Sequence, residues 1–459
     1  MRYTPHTEAD RRAMLDAIGV ERVEDLFADV PANLRFPSLD LPKGLSEPEV
    51  WQYFSRMAAK NAALNEHACF LGAGAYYHYV PAALPHLLFR SEFYTAYTPY
   101  QPEISQGTLQ TIFEFQTLVC QLTGMEVANA SMYDGSTAFA ESALTAARLG
   151  RGRRPRLLVS AAIHPEYRAV LETYTHGQDL EIVTIDYDPA TGLTDQASIQ
   201  AQLDQRTAAV MVQYPNFFGQ IEPLGELADA VHRAGGLLAV SADPVALALL
   251  KTPGDLGADI VTGEGQPLGL LPMFGGPYLG LFATLERHVR QMPGRLAGET
   301  VDSEGRRAYV LTLQAREQHI RREKATSNIC TNEALAATAA TIYLSLLGKS
   351  GFTQAATLCY QRAHYLADQL ARLDGYDLAF SAPFMREFVI RTPRPVAELN
   401  RTLWEEHGII GGYDLGRAYP ELQNHWLLTT TEMNSREQID RFVGALRENA
   451  EEKVLVAEC

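Results

Sequence analysis

The sequence predicts an α/β fold in which a mostly parallel sheet lies between helices, followed by a smaller α+β carboxyl-terminal domain. Short, nearly continuous apolar runs rich in β-forming residues alternate with helical segments across the middle of the chain. From about residue 326 this alternation gives way to longer helices and fewer strands. The 459 residues are 46% hydrophobic and 20% charged, which is typical of a globular protein with a large core.

A helical amino-terminal arm is predicted over residues 1–70. Apolar residues recur at helical spacing in TEADRRAMLDAIGV and in EVWQYFSRMAAKNAAL, with a proline-rich connection between the two segments. Such an arm either packs on a partner subunit or covers its own domain, and the sequence leaves both open.

The large α/β domain is predicted over residues 71–325. The amphipathic segment TLQTIFEFQTLVCQLTG should form a helix that ends at Gly124. Buried strands are predicted at RLLVSAA, LEIVTIDYD, AAVMVQYP, GLLAVSAD, ADIVTG and YLGLFAT. Because helical or loop segments separate these strands, we expect right-handed crossovers and a mostly parallel sheet.

The small α+β domain is predicted over residues 326–459. Its pattern predicts helices over 333–347 and 352–373, and strands in YDLAF and EFVIRT. A helix over 396–407, a strand in HWLLTTTE and a last amphipathic helix should complete it.

Charge and cysteine usage exclude several classes of protein. With 55 acidic and 39 basic side chains the formal charge is -16, which disfavours nucleic acid and anionic membranes as partners. The five scattered cysteines form no CxxC pair, so neither a disulfide framework nor a metal site is expected. No segment resembles a signal peptide or a transmembrane helix, and we expect a soluble, cytoplasmic protein.

Polar residues follow several predicted strands, where an open parallel sheet binds its ligands. In YDGSTAFAES, Ser136 and Thr137 could bind a phosphate at a helix start, or one of them could simply cap that helix. His164 could stack on a planar ring or be purely structural. Asp243 could pair with a ring nitrogen, or it could cap the helix expected after Pro244.

The loop after the next strand, in VTGEGQPLGL, contains Gln266 but no lysine. In pyridoxal-phosphate enzymes built on this plan, a lysine at that place forms a Schiff base with the cofactor. Lys251 is expected to close the helix between Asp243 and that strand, at the far end of the sheet. Lys324 lies in a separate connection toward the small domain.

Three long motifs resemble one known family: GAGAYYHYVPAAL over residues 72–84, FYTAYTPYQPEISQGTLQTIFEFQT over 93–117 and REKATSNICTNEAL over 322–335. The chain resembles the pyridoxal-phosphate-dependent glycine decarboxylases, the P-proteins of the glycine cleavage system, from about Leu64 to its end. It is most similar to their amino-terminal half, which is a separate subunit in two-subunit members. The resemblance implies a fold-type I, aminotransferase-like fold with a seven-stranded type of sheet.

The resemblance also implies a partner and a reaction. In this family the Schiff-base lysine belongs to the other half, so a paralogous second subunit should bind pyridoxal phosphate covalently, in a heterodimer or a dimer of heterodimers. The assembly should decarboxylate glycine and pass the aminomethyl group to the lipoyl cofactor of the H-protein. This chain should be inactive alone. Ser136, Thr137, His164, Asp243 and Gln266 would then line a vestigial cofactor pocket.

Residues of this chain should complete the partner's active site, because fold-type I sites lie at dimer interfaces. Tyrosines can wall a pocket and orient a carboxylate, acidic or amide groups can meet an ammonium, and hydroxyls can bind a phosphate or fix a turn. The candidates are Tyr97, Thr98, Tyr100, Gln101, Glu103, Thr326, Ser327, Asn328 and Thr331.

Two other hypotheses remain open. The chain could be a non-catalytic, regulatory or scaffolding pseudoenzyme that lends no side chain to its partner. It could also be an independent fold-type I lyase that uses Lys251 or Lys324, although their predicted positions disfavour this.

Overall fold

The computed structural model describes residues 5–273 and 275–457, with side chains through residue 448. The chain forms two compact units that divide between Ala62 and Ala63. Residues just before position 70, predicted to belong to the arm, lie in the second unit. There Phe70 is fully buried, and its N–H donates to the Ile410 carbonyl at 2.9 Å.

The first unit contains two helices, α1 (Glu8–Ile18) and α2 (Glu47–Ala58). Thr7 caps α1 by accepting a hydrogen bond from the Asp10 N–H, and Asp10 bonds back to the Thr7 N–H. Both helices were expected from their apolar periodicity, and their capping residues define where they begin.

The second unit contains eleven helices and thirteen strands within the described residues. The helices are α3 (Ala83–Leu88), α4 (Ser91–Tyr94), α5 (Gln106–Thr123), α6 (Gly135–Leu149), α7 (Pro165–Thr175), α8 (Gln196–Gln202), α9 (Leu224–Arg233), α10 (Gln318–Arg321), α11 (Ala334–Leu370), α12 (Val396–His407) and α13 (Arg436–Ala457). The strands are β1 (Val127–Ala128), β2 (Arg156–Ser160), β3 (Glu181–Ile185), β4 (Thr207–Tyr214), β5 (Leu237–Ala242), β6 (Ile260–Glu264), β7 (Gly280–Thr284), β8 (Leu296–Val301), β9 (Arg307–Thr312), β10 (Asp377–Leu378), β11 (Glu387–Arg391), β12 (Tyr413–Asp414) and β13 (His425–Thr429).

A seven-stranded sheet forms the centre of the second unit, in the order β1-β7-β6-β5-β4-β2-β3. Strands β3, β2, β4, β5 and β6 pair in parallel, whereas β7 runs antiparallel to both β6 and β1. The predicted mostly parallel sheet is therefore confirmed. Parallel pairing brings the carboxyl ends of β2, β4, β5 and β6 to one edge, which is where the fold can form a crevice.

Both faces of this sheet are covered by helices, which explains why its strands read as continuous apolar runs. Val210 and Val212 of β4 pack into one core together with residues of α5, α9 and α11. Ala209 and Met211 of the same strand point to the opposite face and pack with α6 and α7. All four are nearly completely buried, and removing apolar surface from water in this way stabilises the fold.

A second, antiparallel sheet in the order β10-β11-β13-β12 packs with α12, α13 and the later part of α11. The two predicted helices over 333–347 and 352–373 are confirmed as the two halves of α11, which the non-helical backbone of Gly348 (φ 58°, ψ -175°) separates. The helix predicted over 396–407 is confirmed as α12. A domain division at residue 326 stays a prediction.

Two local features differ from the sequence expectations. The prediction of a helix between Asp243 and the next strand is wrong. Only short 3₁₀ turns occur there, at Ala246–Ala248 and Gly254–Leu256. Pro253 follows soon after Lys251, so Lys251 lies in an exposed turn rather than at a helix end. In addition, β8 and β9 form an unpredicted two-stranded hairpin. Within the described residues, no helix is both long and apolar enough to cross a membrane.

Candidate functional site

The crevice at the carboxyl edge of the large sheet is almost completely filled. A cavity of only about 40 Å³ remains, lined by His164, Asp243, Glu264 and Arg386 among others. A single water needs roughly 10–15 Å³ of such space, whereas ligand pockets usually measure about 300–1,000 Å³. The crevice therefore has room for a few waters and not for a cofactor.

The amino terminus of α6 borders this crevice and is capped by Asp134. The Asp134 carboxylate accepts hydrogen bonds from the Thr137 N–H and from the Ser136 hydroxyl, both at 2.7 Å. The expectation that Ser136 or Thr137 is the cap is therefore corrected, because Asp134 takes that position. Ser136 and Thr137 lie in the first turn of α6, and neither of them is its N-terminal cap.

Glu264, at the end of β6, takes the place that an anion would occupy at this helix start. Its Oε2 accepts a hydrogen bond from the Gly135 N–H at 2.8 Å, and its Oε1 accepts from Gln266 and Leu279 at 2.8 and 2.9 Å. Burial raises the pKa of Glu264 to about 8, although these three N–H donors oppose the rise. A side chain of this protein therefore already uses the helix terminus that could hold a phosphate.

Asp243, at the end of β5, forms an ion pair with Arg386 at 2.7 Å between Oδ2 and Nη2. The guanidinium is buried and lies over the Tyr76 ring, 3.6 Å from its centroid. Burial alone would lower the pKa of Arg386, but the Asp243 carboxylate raises it above its ordinary value. Asp243 also accepts a hydrogen bond from the Val245 N–H. The acidic group expected to meet a ring nitrogen thus pairs with an internal cation.

A buried polar network continues from Arg386. Its Nη1 donates to His78 Nε2, and His78 Nδ1 donates to the Glu432 carboxylate at 2.7 Å. The adjacent Glu387 accepts hydrogen bonds from the Tyr76 hydroxyl at 2.7 Å and the Ala73 N–H at 2.8 Å. Burial raises the pKa of Glu387 to about 7. This network ties the 72–84 motif to β11 and closes the crevice from one side.

His164 is held by both ring nitrogens. Its Nε2 bonds the Ala73 carbonyl at 3.0 Å, and its Nδ1 accepts from the Glu166 N–H at 3.2 Å. The ring stacks on Tyr167 with centroids 5.0 Å apart, and burial lowers the pKa of His164. The face that could stack on a cofactor is thus partly taken by a tyrosine.

Gln266 lies outside the residual cavity, although it follows the expected strand. It is completely buried, accepts a hydrogen bond from the Tyr76 N–H at 2.9 Å and donates to the carbonyls of Tyr76 and Leu270. The structure therefore brings His164 and Asp243 together around the cavity, with Ser136 and Thr137 at the adjoining helix start. It uses Gln266 to hold the loop.

A second group of polar residues is organised around Arg295; we call it the Arg295 cluster, comprising Thr98, Tyr100, Arg295, Cys330 and Thr331. Arg295 donates to the Tyr100 hydroxyl at 2.9 Å and to the Thr98 hydroxyl at 3.3 Å. Thr98 in turn donates to Thr331 at 3.4 Å, and the Arg295 guanidinium lies 5.0 Å from the Tyr100 ring centroid. Three of the predicted interface residues thus meet in space.

Arg295 brings a buried positive charge into this cluster. Arg295 is 4% exposed and faces the buried Glu317 at 3.6 Å, while Tyr100 is 45% exposed. A hydrogen bond from Thr331 and contributions from Tyr100, Gln318 and Arg295 lower the pKa of the Cys330 thiol. Sequence reasoning missed Arg295, because an arginine in PGRLAG carries no motif. The role of Arg295 becomes visible only in the structure, where residues 98–100 lie close to the start of β8.

Within the described residues, the other predicted interface residues form no hydrogen bond or ion pair with Arg295. Tyr97, Gln101 and Glu103 are exposed, with Tyr97 at 71%. Ser327 accepts a hydrogen bond from the Gly294 N–H at 3.4 Å. The remaining residues of that turn, Thr326 and Asn328, line a separate open cavity of about 800 Å³.

Comparisons with known proteins place these features in a family. Residues 1–446 match the family described as glycine cleavage system P-protein. A probable glycine dehydrogenase (decarboxylating) subunit 1 from Desulforamulus reducens is 54% identical, over 97% of this chain and 99% of its own length. The corresponding protein from Thermomicrobium roseum is also 54% identical, over 98% of this chain and 99% of its own.

Solved structures agree with the sequence relatives. A crystal structure of glycine decarboxylase, the P-protein of the glycine cleavage system, in inhibitor-bound form is 45% identical, with a TM-score of 0.90 over 98% of this chain and 100% of that one. A sphingosine-1-phosphate lyase from Burkholderia pseudomallei shares the fold alone, at 15% identity and a TM-score of 0.65 over 93% of this chain and 98% of that one. The predicted fold-type I class is therefore confirmed. The chain belongs to the glycine cleavage system P-protein family and resembles its subunit 1 members over nearly its full length.

Proposed function

We propose that this chain is the subunit of a glycine decarboxylase that completes the active site of a paralogous partner and holds no cofactor of its own. The partner would supply the Schiff-base lysine and bind pyridoxal phosphate, and the product aminomethyl group would pass to a lipoylated H-protein. The observation that carries the proposal is the closed crevice, in which Arg386 pairs with Asp243 and Glu264 binds the Gly135 N–H.

The residues of this crevice do not fit pyridoxal phosphate. The loop after β6 has no lysine to form an imine, and the acidic partner for a ring nitrogen is held by a guanidinium. The Glu264 carboxyl already accepts the Gly135 N–H at the start of α6, so this donor is not free for a phosphate, and a methyl group at Gly135 would already meet Tyr167 and Glu264 at 3.0 Å or less. Since both ends of the cofactor would meet occupied positions, we derive no chemical step in this crevice.

What this chain would contribute is the Arg295 cluster and the exposed residues beside it. Arg295 holds the Tyr100 hydroxyl and the Thr98 hydroxyl in fixed positions, and about half of the Tyr100 side chain remains accessible. A guanidinium, two threonine hydroxyls and a phenol suit a carboxylate or phosphate oxygen in a neighbouring site. Tyr97, Gln101 and Glu103 would pack against the partner or meet the substrate ammonium.

Exchange of labelled carbon dioxide with the glycine carboxyl group, in the presence of lipoylated H-protein, tests the proposal. The chain and its partner should each be inactive when expressed alone, and the two together should be active. Equal exchange by this chain without the partner would contradict the proposal.

The scaffold hypothesis is a second candidate, because a crevice with no room for a cofactor is also what a purely structural subunit would have. Substitution of Tyr100 separates the two functions. If Tyr100→Phe leaves exchange unchanged while the assembly stays intact, the chain is a scaffold at that position. An independent lyase is not favoured, because Lys251 and Lys324 are both exposed and neither lines the crevice cavity.

A further inference from the structure

A cationic cavity opens at the opposite edge of the large sheet, where β2, β4 and β5 begin. Its volume is about 710 Å³, within the usual size range of small-molecule sites. Arg151, Arg153 and Arg154 enter it from the connection after α6, and Arg206 enters from the start of β4. With strands of five to eight residues, this cavity lies about 17–26 Å from the closed crevice.

The charge of this cavity is unusual for the chain that contains it. The formal net charge of the protein is -16, yet the cavity is lined by four arginines and by no aspartate or glutamate. Within the described part of the chain, no carboxylate oxygen lies within 4.0 Å of Arg151, Arg153 or Arg154. Arg206 alone of the four has an acidic partner, Glu181 at 3.0 Å outside the cavity lining.

One arginine is built into the cavity wall. Arg154 donates to the carbonyls of Thr207 and Ala234 at 3.0 and 3.2 Å. Its Nη2 packs against Gly235, where φ is 73° and a Cβ atom would come within 2.6 Å of that nitrogen. Only glycine fits both the backbone conformation and the close guanidinium. The position of this cation is therefore set by the fold.

The ordinary explanation for cations at this place is the dipole of α6, which ends at Leu149. A helix carboxyl end carries about half a negative charge, which can be matched by one cation in its last turn. Four guanidinium groups from two separate connections exceed that requirement. Ala146, Leu149 and Leu237 add apolar surface to the lining, and we call these three residues the apolar floor.

We propose that this cavity binds a phosphorylated small molecule of nucleotide size. Guanidinium groups match phosphate oxygens with paired hydrogen bonds, and the apolar floor can cover a ring or a carbon skeleton. The site is separate from the closed crevice and does not depend on the function proposed above.

Calorimetric titration of the full chain, purified with any companion subunit, with pyrophosphate and with ADP tests this site. The variant R151Q/R153Q should raise the dissociation constant by about tenfold or more, because two charge-assisted contacts to phosphate are lost. The control R306Q/R307Q removes the same charge from the exposed β8–β9 hairpin and should leave the dissociation constant unchanged. Circular dichroism checks that both variants fold.

The two probes distinguish the source of binding. Tighter binding of ADP than of pyrophosphate supports a ligand with a ring over the apolar floor, whereas equal binding would contradict a ligand of nucleotide size. The proposal is overturned if the wild-type chain binds neither probe. It is also overturned if both double variants weaken binding equally, or if sulfate competes as well as pyrophosphate, since either result would indicate only general charge attraction.

Discussion

The closed crevice and the Arg295 cluster each contain an arginine that lies against a tyrosine and faces a carboxylate, but they differ in what surrounds these groups. In the crevice, Arg386 lies between Asp243 and the Tyr76 ring, and the residual cavity measures about 40 Å³. In the Arg295 cluster the tyrosine is 45% exposed. In the crevice the charged groups pair with one another. In the Arg295 cluster, Arg295 holds the Tyr100 hydroxyl while part of the Tyr100 side chain stays exposed.

This difference indicates which groups of the chain remain available for a function. Open parallel α/β sheets usually bind their ligands beyond the carboxyl ends of the strands. Here that edge contains a buried network of charged groups, and the cavity left between them measures about 40 Å³. If the chain takes part in catalysis, its contribution has to come from groups that remain accessible, and Tyr100 is anchored and accessible at once.

The largest expected effect comes from removing the cation of the crevice. Arg386→Met leaves Asp243 as a buried charge without its partner, and we expect a loss of about 3–5 kcal/mol in the free energy of unfolding. Urea denaturation measures it. Arg391→Met, at the end of the strand that follows Arg386 and exposed with its acidic neighbour Asp377, should cost less than about 1 kcal/mol. Equal stability of the two variants would show that the crevice ion pair is not structural.

The pH dependence of stability should report the buried carboxyls. The pKa of Glu387 is raised from 4.5 to about 7, so the folded state holds a proton that the unfolded state releases. Its contribution is complete below pH 4.5 and is lost as the pH rises from 4.5 to 7, by on the order of 3 kcal/mol. Glu264, with a pKa raised to about 8, should continue the loss at higher pH.

Urea midpoints from pH 5 to pH 9 measure this decline. Glu387→Gln should flatten the profile between pH 5 and pH 8, because the amide resembles the protonated carboxyl. The exposed Glu304→Gln should leave the slope unchanged. A wild-type profile that rises over this range would contradict the buried, protonated state of both carboxyls.

Loss of the Tyr100 hydroxyl should affect turnover more than stability. Tyr100→Phe removes an acceptor of Arg295 while keeping the ring, and we expect about a tenfold loss in kcat/KM for the complete assembly, equivalent to about 1.4 kcal/mol. Tyr360→Phe, on the surface of α11, is the matched control and should retain full activity. Unchanged turnover in both variants would favour the scaffold hypothesis.

The smallest expected effect is at Tyr97. Because 71% of this side chain is exposed, Tyr97→Ala should change the unfolding free energy of the isolated chain by less than about 0.5 kcal/mol. If Tyr97 packs on a partner, the same substitution should weaken assembly, which analytical ultracentrifugation of the mixed subunits measures. A chain that loses stability alone would indicate that Tyr97 supports its own fold instead.

Most of the large sheet could be predicted from the sequence, because strands such as β4 are buried on both faces and read as AAVMVQY. The turns after Asp243 could not, since VALALLK has helical composition but Pro253 and the short connection to β6 leave only 3₁₀ turns. The hairpin of β8 and β9 was missed because the largely exposed GETV half of β8 carries little apolar alternation.

The candidate site was predictable only in part. Asp243 and His164 could be placed at strand ends by the rule for parallel sheets, and they do line one cavity. The filling of that cavity could not be foreseen, because Arg386 comes from the bend before β11, far along the chain from Asp243. Its pairing with Asp243 depends on tertiary structure that no local pattern encodes. The same holds for Arg295, which meets residues 98–100 across about 195 positions.

Under the proposed function, the cofactor of the active assembly is bound by another chain. Borohydride reduction of the assembled subunits with pyridoxal phosphate, followed by mass spectrometry of each chain, tests this most directly. We expect a stoichiometric pyridoxyl-lysine on the partner and none on any of the six lysines of this chain. A stoichiometric adduct on Lys251, Lys324 or another lysine of this chain would contradict it.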